Sequence, residues 1–392
     1  MRLQRSDPAR RPFMIIWETT RACDLACRHC RAESQPEPAP GILDHAEAME
    51  LLREAGRFGQ PPPLFIFTGG DPFKRSDLFD LVRQAVDLGL APAVSPSGTP
   101  LLTRENLVKL KEAGAKAISL SVDAPTARAH DDFRGVPGSF ALTLRGWRAA
   151  RGMKLKVQIN TTVTRFNLHL LPRVFELVQT MGALTWSLFF LVPTGRGQAV
   201  DEVSPREYEA VLHFLYDVSK YISAKTTEGH HYKRVVVQRS ILDEEGRSAE
   251  EAMDLNPIYD RLKGELLSIV KARRLTPRPA VLRTPMHINS GDGLVFISRT
   301  GEVFPSGFLP VSGGNIKERS LLEIYRDSPL FRDLRDKTKL KGRCGRCEFA
   351  PVCGGSRARA YAMTGDFLAE EPFCTYEPGR FPFQKAVLSR LA

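Results

Sequence analysis

Short apolar runs alternate through the first half of the chain with longer stretches whose apolar positions recur at three- and four-residue spacing. The series opens with Phe13-Met14-Ile15-Ile16-Trp17. Leu64-Phe65-Ile66-Phe67-Thr68 is almost wholly apolar, as expected of a strand buried on both faces. Further strands are predicted near Ala91–Ser95, Ala117–Val122, Lys156–Val163 and Leu184–Leu191. Between them the spacing predicts helices over Asp44–Ala55, Asp77–Leu88, Arg104–Ala113, Phe140–Ala150 and Leu170–Thr180, the first opened by Asp44 with Glu47 three residues on. Gly56, Gly89, Gly114, Gly152 and Gly182 follow these stretches closely as helix stops. Six strand–helix units in succession imply right-handed parallel crossovers and therefore an α/β barrel or open sheet. Functional residues are expected at the C-terminal strand ends.

From about Gly195 to Pro285 the pattern loosens. Ser204–Ser219 and a stretch around Ile258–Val270 read as helices. His230-His231 reads as a solvated turn, because no Cys, Asp or Glu set is spaced around it for a metal. Leu294 to Pro305 reads as two short strands about a Gly-containing turn. Ser320 with Glu323 marks a helix running through Tyr325.

Composition adds bounds rather than identity. The 392 residues, 42% hydrophobic and 26% charged, can build two or three ordinary globular domains at about 100–200 residues each. The basic N-terminus lacks the apolar run of a secretory signal, and no apolar run approaches the ~18–20 residues of a membrane span, so a cytoplasmic protein is expected. A net charge of +11 permits attraction to nucleic acid, anionic surfaces or acidic small molecules. Without a Lys/Arg block or a recognisable nucleic-acid module, acidic ligands fit better.

The seven cysteines are an odd number, which argues against a closed disulfide framework. They divide into three and four. Cys23, Cys27 and Cys30 form a C-x3-C-x2-C run just after the first strand. Iron–sulfur clusters usually take four thiolates, so three leave one iron open to a substrate or cofactor. A partial zinc site or buried free thiols are the alternatives, although Arg21, Asp24, Arg28 and Arg31 make poor core surroundings. Cys344, Cys347, Cys353 and Cys374 suffice for one fully ligated [4Fe–4S] cluster, while Cys344-x-x-Cys347 alone could be half a zinc ribbon.

The first cysteine run resembles the cluster motif of the radical S-adenosylmethionine (SAM) enzymes, with His29 where that family often has an aromatic residue. The resemblance implies a partial (β/α)6 TIM-like barrel over residues 13–200. A basic arm at 1–12 precedes it, and a helical connector at 201–289 and a small C-terminal iron–sulfur domain at 290–392 follow. It further implies that Cys23, Cys27 and Cys30 hold a [4Fe–4S] cluster whose open iron binds SAM, and that a low-potential donor supplies the electron that cleaves SAM to a 5′-deoxyadenosyl radical. Thr68-Gly69-Gly70-Asp71-Pro72 looks like the family's glycine-rich motif, which meets the amino end of SAM; glycine is needed there because a side chain would block the approach. By itself it is also a common turn. Ser95, Ser97, Ser119, Ser121 and Asp123, at or near the third and fourth strand ends, are similarly expected to reach the ribose or carboxylate of SAM, each with a structural role as the alternative. Asn160 and Thr162 point to one side of the fifth strand, and similar residues contact SAM in relatives. Arg196 either pairs with a carboxylate through its planar fork or lies on the surface.

The second cysteine group resembles the SPASM/twitch auxiliary-cluster domain, in the form found in the alternative haem-biosynthesis (haem d1 and coprohaem decarboxylase-like) branch. The matching residues are Cys344-Gly345-Arg346-Cys347, Cys353-Gly354-Gly355, Arg357 to Ala362, Thr364-Gly365-Asp366 and Pro372-Phe373-Cys374. Ser306 and Ser356 stand where some relatives carry further cysteines, which implies a single auxiliary [4Fe–4S] cluster. Overall the resemblance covers about residues 13–200 and 290–376. It implies a propionate-bearing tetrapyrrole as substrate, with Arg343, Arg346, Arg357 and Arg359 either pairing with propionates or offsetting cluster charge. Modification of a ribosomal peptide is the alternative activity, and an iron–sulfur sensor or electron carrier the alternative to an enzyme.

Overall fold

The structure, a computed structural model, describes residues 7–278 and 288–391. Residues 1–6 of the expected basic arm and 279–287 of the expected connector lie outside the described residues. Seven parallel strands pair in chain order: β1 (Met14–Thr20), β2 (Leu64–Gly69), β3 (Ala91–Val94), β4 (Ala117–Ser121), β5 (Lys156–Val163), β6 (Thr185–Phe190) and β7 (Ser223–Thr227). The crossovers carry α1 (His45–Gly56), α2 (Leu78–Asp87), α3 (Arg104–Glu112), α4 (Ala127–Arg134), α5 (Ser139–Gly152), α6 (Leu171–Thr180) and α7 (Pro205–Ser219). Local chemistry starts several of these helices. Asp44 and Glu47 form a reciprocal cap at α1, and Ser204 and Glu207 do the same at α7, where Pro205 takes the first turn.

Strand alternation sorts the two faces of the sheet. Trp17, Phe65, Phe67, Val94, Leu120, Ile159 and Trp186 are fully or almost fully buried on the helix-covered face, each large side chain stabilising the fold by roughly 1.5–3 kcal/mol. The opposite face, carrying Thr68, Ser119, Ser121, Gln158, Asn160 and Thr162, is only partly buried and lines the interior of an unclosed barrel.

β7 departs from the expected helical connector: its short polar run Ser223-Ala224-Lys225-Thr226-Thr227 extends the parallel sheet past β6 but has no apolar core to announce it. After α8 (Tyr232–Glu244), α9 (Ala249–Ala252) and α10 (Pro257–Arg273), the chain returns to the sheet's other edge. There β8 (Asn289–Ser290), β9 (Gly293–Ile297), β10 (Glu302–Phe304) and β11 (Gly314–Asn315) continue the sheet, with β9 parallel to β1 and antiparallel to β10. The expected hairpin is present, and its first strand joins the barrel sheet itself. The remaining helices are α11 (Leu321–Asp327), α12 (Pro329–Arg335), α13 (Gly342–Gly345), α14 (Arg357–Thr364) and α15 (Gln384–Leu391). The hydrophobic spacing does not mark α4, although its cap signals are present. The Thr126 hydroxyl accepts the Ala129 N–H, and Gly135 ends the helix at φ +71°.

Candidate functional site

Because β1 to β7 are parallel, the loops after β1, β2, β4 and β6 converge at one end of the sheet. Cys23, Cys27 and Cys30 cluster there around Leu25. The loop is sewn to its neighbours by backbone bonds: Gly70 N donates to Thr20 O (2.8 Å), Asp71 N to Ala22 O (2.7 Å) and Arg196 N to Cys30 O (3.0 Å). A Cβ would stand 2.2 Å from Thr20 O at Gly69 and 2.4 Å from Ala22 O at Gly70, so the glycines let β2 press against the root of the cysteine loop. Gly195 (φ +60°) does the same from beyond β6, where a Cβ would lie 2.4 Å from Arg31 O.

Each thiol has its own surroundings. Burial pushes Cys23 up to about 11, partly offset by the Leu25 N–H. Burial also raises Cys27, against the pull of Arg134. At Cys30 burial is outweighed by the hydroxyl and N–H of Ser34, both 3.4 Å from the sulfur, and by Arg196, so this thiol is held below its usual range. Cluster ligands must be thiolates, so metal loading at this loop releases protons.

The expected residues around the loop divide by how their polar atoms are used. Asp71 is committed inside the protein, where it accepts the Thr99 hydroxyl at 2.6 Å and the Phe73 N–H at 3.2 Å. Ser97 donates to Gly70 O (2.7 Å) and sits 3.6 Å from Cys23 Sγ. Ser95 and Ser119 bond to each other at 2.6 Å. Asp123 is fully buried; burial alone would raise it, but Arg134 holds it below its usual range. Its Oδ2 lies 2.5 Å from Arg134 Nη2, and its Oδ1 accepts the Thr162 N–H at 2.8 Å. Both expected carboxylates are therefore consumed by the scaffold. Ser121 and Asn160 stand side by side on the interior face, and Asn160 Oδ1 accepts from Gln158 Nε2 at 2.7 Å. Arg196 is half-buried and clamps the loop, donating from Nε to Cys27 O (3.0 Å) and from Nη1 to Ser34 O (2.9 Å). Its Nη2 is buried without a partner, as is the hydroxyl of Ser187, which pairs in register with Asn160. A buried polar group left unpaired costs about 1–3 kcal/mol, so these are atoms a bound polar cofactor such as SAM would satisfy.

Sequence reasoning missed Arg134, the last residue of α4. Its Nη1 lies 3.6 Å from Cys27 Sγ while its Nε donates to Asp123 at 2.7 Å. The cap signals at Thr126 and Gly135 would have placed it at a helix end, but its sulfur contact depends on how α4 folds back over the loop.

Cys344, Cys347, Cys353 and Cys374 line one cavity together with His231, Arg234, Arg343, Gly355 and Glu371. Among the described residues no group of three or more His, Cys, Asp or Glu side chains is arranged to hold a single metal ion. Thiols spaced around a cavity are the donor arrangement a multi-iron cluster needs. Burial pushes Cys347 and Cys353 up to about 12 and Cys374 to about 11. Backbone N–H groups point at the sulfurs: Glu371 N lies 3.3 Å from Cys344 Sγ and Gly355 N 3.4 Å from Cys353 Sγ.

One expectation about this region is corrected. His231 is fully buried and His230 half-buried, because α7, α8 and the C-terminal segment close over the pair; His231 stacks on Tyr208 at 4.6 Å. Both His231 ring nitrogens and Arg234 Nε are buried without hydrogen-bond partners. Arg357 and Arg359 are buried as well. Arg357 Nη1 donates to Phe367 O and Ala369 O (2.9 and 2.6 Å) while its Nη2 lies 3.8 Å from Cys344 Sγ, a position that offsets charge on that sulfur, and Arg359 Nε donates to Glu202 at 3.1 Å. Arg343 is tied to Glu370 and Cys374 O, and Arg346 alone of the four is exposed. Ser306 and Ser356 meet over the buried Glu228 carboxylate, donating to its two oxygens at 2.8 and 2.5 Å. A separate cavity of about 470 Å³ between α7, α8 and residues 375–382 shares Arg234 and Tyr376 with the four-thiol cavity; no residue of the first cysteine loop lines it. Among the described residues no helix is long and apolar enough to cross a membrane.

An open parallel α/β sheet with three thiols at the exit of its first strand, coupled to a small C-terminal four-thiol region, defines an iron–sulfur enzyme of the partial-barrel class. The radical SAM superfamily profile matches residues 17–178, and an iron–sulfur cluster-binding domain profile, SPASM, matches residues 289–348. The chain is 41% identical over 384 residues to an "AdoMet-dependent heme synthase" of Oleidesulfovibrio alaskensis, covering 97% of this chain and 91% of that protein. It is 42% identical over 371 residues to a protein of the same name from Nitratidesulfovibrio vulgaris, covering 94% and 93%. The fold resembles that of Streptococcus suis SuiB bound to its precursor peptide SuiA, with a TM-score of 0.66 at 15% identity over 94% of this chain and 76% of that one. The chain belongs to the radical SAM superfamily and carries a C-terminal SPASM-type domain, similar to the alternative haem-biosynthesis branch. It is an enzyme with a primary and an auxiliary iron–sulfur cluster that cleaves SAM reductively to a 5′-deoxyadenosyl radical and abstracts hydrogen from its substrate.

Proposed function

We propose that this enzyme removes carboxyl groups oxidatively from the propionate side chains of an iron-tetrapyrrole, yielding a haem-type product. The observation that carries the reading is identity above 40% to AdoMet-dependent heme synthases along nearly the whole chain. In this reading Cys23, Cys27 and Cys30 hold the primary [4Fe–4S] cluster and leave one iron for SAM, while Cys344, Cys347, Cys353 and Cys374 hold the auxiliary cluster. When bound, the SAM–cluster pair supplies the radical that takes one hydrogen atom from a propionate. Loss of CO₂ would then leave a vinyl group, the remaining electron passing to an external one-electron acceptor. The chain's own contribution would be to orient and exclude water: the interior-facing Ser121, Asn160, Thr162 and Ser187 would contact SAM, and the unpaired Arg196 Nη2 would be a donor for its carboxylate. A low-potential protein donor works from the cytoplasm.

Anaerobic reconstitution should give about eight irons, four per cluster. With SAM and a reductant, a coproporphyrin-type iron-tetrapyrrole should lose CO₂ in mass spectra as 5′-deoxyadenosine accumulates. Cleavage of SAM with the tetrapyrrole returned intact would refute the substrate, and a modified peptide encoded near the gene would replace it.

A further inference from the structure

The four-thiol cavity presents more than sulfur. His231 is fully buried, lines the cavity, and has no hydrogen-bond partner at either ring nitrogen. A neutral imidazole carries one N–H and one lone pair, and nothing else in the surroundings takes that N–H. The ring cannot turn away to find water. It stacks on Tyr208 (4.6 Å), which stacks on Phe190 at the end of β6 (3.8 Å) and donates its hydroxyl to Glu228 O (2.6 Å).

Arg234 lines the same cavity three residues further on, one helical turn along the start of α8. Its terminal nitrogens are engaged: Nη2 reaches both Glu209 oxygens (2.8 and 2.6 Å) and Nη1 the Gln238 carbonyl (2.7 Å), while the guanidinium lies over the Tyr376 ring at 5.0 Å. Only Nε–H is left without a partner. Two independent, fully buried and rigidly held side chains thus bring unpaired nitrogens to a cavity ringed by thiols.

We propose that His231 and Arg234 donate N–H hydrogen bonds to the sulfurs of the auxiliary cluster and set its reduction potential. The proposal rests on the reading that Cys344, Cys347, Cys353 and Cys374 hold that cluster. Reduction adds negative charge that spreads over the sulfurs, so an N–H aimed at them stabilises the reduced state more than the oxidised one and raises the potential. The Glu209 carboxylate neutralises Arg234, so the pair contributes a directed dipole rather than a net positive charge.

The test titrates, in the anaerobically reconstituted full chain, the electron paramagnetic resonance signal that added SAM leaves unaltered. His231→Phe, with its iron content retained, should leave that cluster about tenfold less reduced at a fixed ambient potential, which is about 59 mV for one electron. His231→Gln keeps an N–H and should stay near the parent. Arg234→Lys keeps a cation for Glu209 but loses Nε–H, and should shift the potential in the same direction as His231→Phe. Unchanged midpoints in His231→Phe and Arg234→Lys with about eight irons bound overturn the proposal and leave the four-cysteine site standing; parent protein that binds only about four irons overturns that site instead. If the variants lose iron, pulsed resonance on parent protein labelled with ¹⁵N-histidine decides the role of His231. A nitrogen coupling in the SAM-insensitive signal supports the donor, and its absence refutes it.

Discussion

All three thiols of the first group hang from one loop at the end of β1, whereas the four of the second are spread from α13 at Cys344 to the loop at Cys374. The compact group nevertheless leans on distant chain too. Arg134 reaches Cys27 from the end of α4, and Arg196 clamps Cys27 and Ser34 from beyond β6. The dispersed group is braced from within by Glu371, Gly355 and Arg343 and from outside by Asn289, which donates to Cys353 O and Gly355 O (2.9 and 2.8 Å), and it rests on a small core in which Phe349, Val352, Phe381 and Val387 meet Val237 and Ile241 of α8. A strand-end loop has little packing of its own, so neighbouring strand ends must hold it. Closeness in sequence does not make a site self-supporting.

The sharpest way to break the comparison is to remove each group separately. Replacing Cys23, Cys27 and Cys30 with Ala should abolish 5′-deoxyadenosine formation and leave about four irons, and replacing the other four should leave the first cluster's SAM-responsive signal intact. If removing either group loses all the iron, the two sites are not independent. A smaller effect should follow from Arg134→Met, which strands the fully buried Asp123 carboxylate. It should cost about 3–5 kcal/mol in denaturant unfolding, with much of that loss recovered by adding Asp123→Asn, and iron should be lost from the first group before the second. Smallest is Gly195→Ala, which meets Arg31 O at positive φ. A loss of about 1–3 kcal/mol is expected, with iron release hastened at the first group only; equal release from both would mean the loop does not depend on this staple.

Much of this was legible along the chain. The strand–helix order, the caps at Asp44 and Ser320 and the three-plus-four division of the cysteines all appear where the local pattern puts them. What escaped had weak local signals. β7 is polar and half-buried, and edge strands of that kind carry no apolar run. His230-His231 looks like a turn because its burial comes from Tyr208 on α7 and from the C-terminal segment, neither of them adjacent in sequence. Asp71 and Asp123 stand at strand ends, where a carboxylate is often functional, and their bonds to Thr99 and Arg134 are not visible in the sequence.

The sequence by itself determined the chemistry of the donors. Seven thiols in a C-x3-C-x2-C run and a second group, hung on alternating strands and helices, admit few uses other than two iron–sulfur sites on a partial barrel. Only the tertiary structure decided which polar atoms face those sites and which are spent on the scaffold. That choice depends on strand register and helix packing between residues more than a hundred positions apart, as Arg134 with Cys27 and Ser356 with Glu228 are, and no local spacing rule carries it.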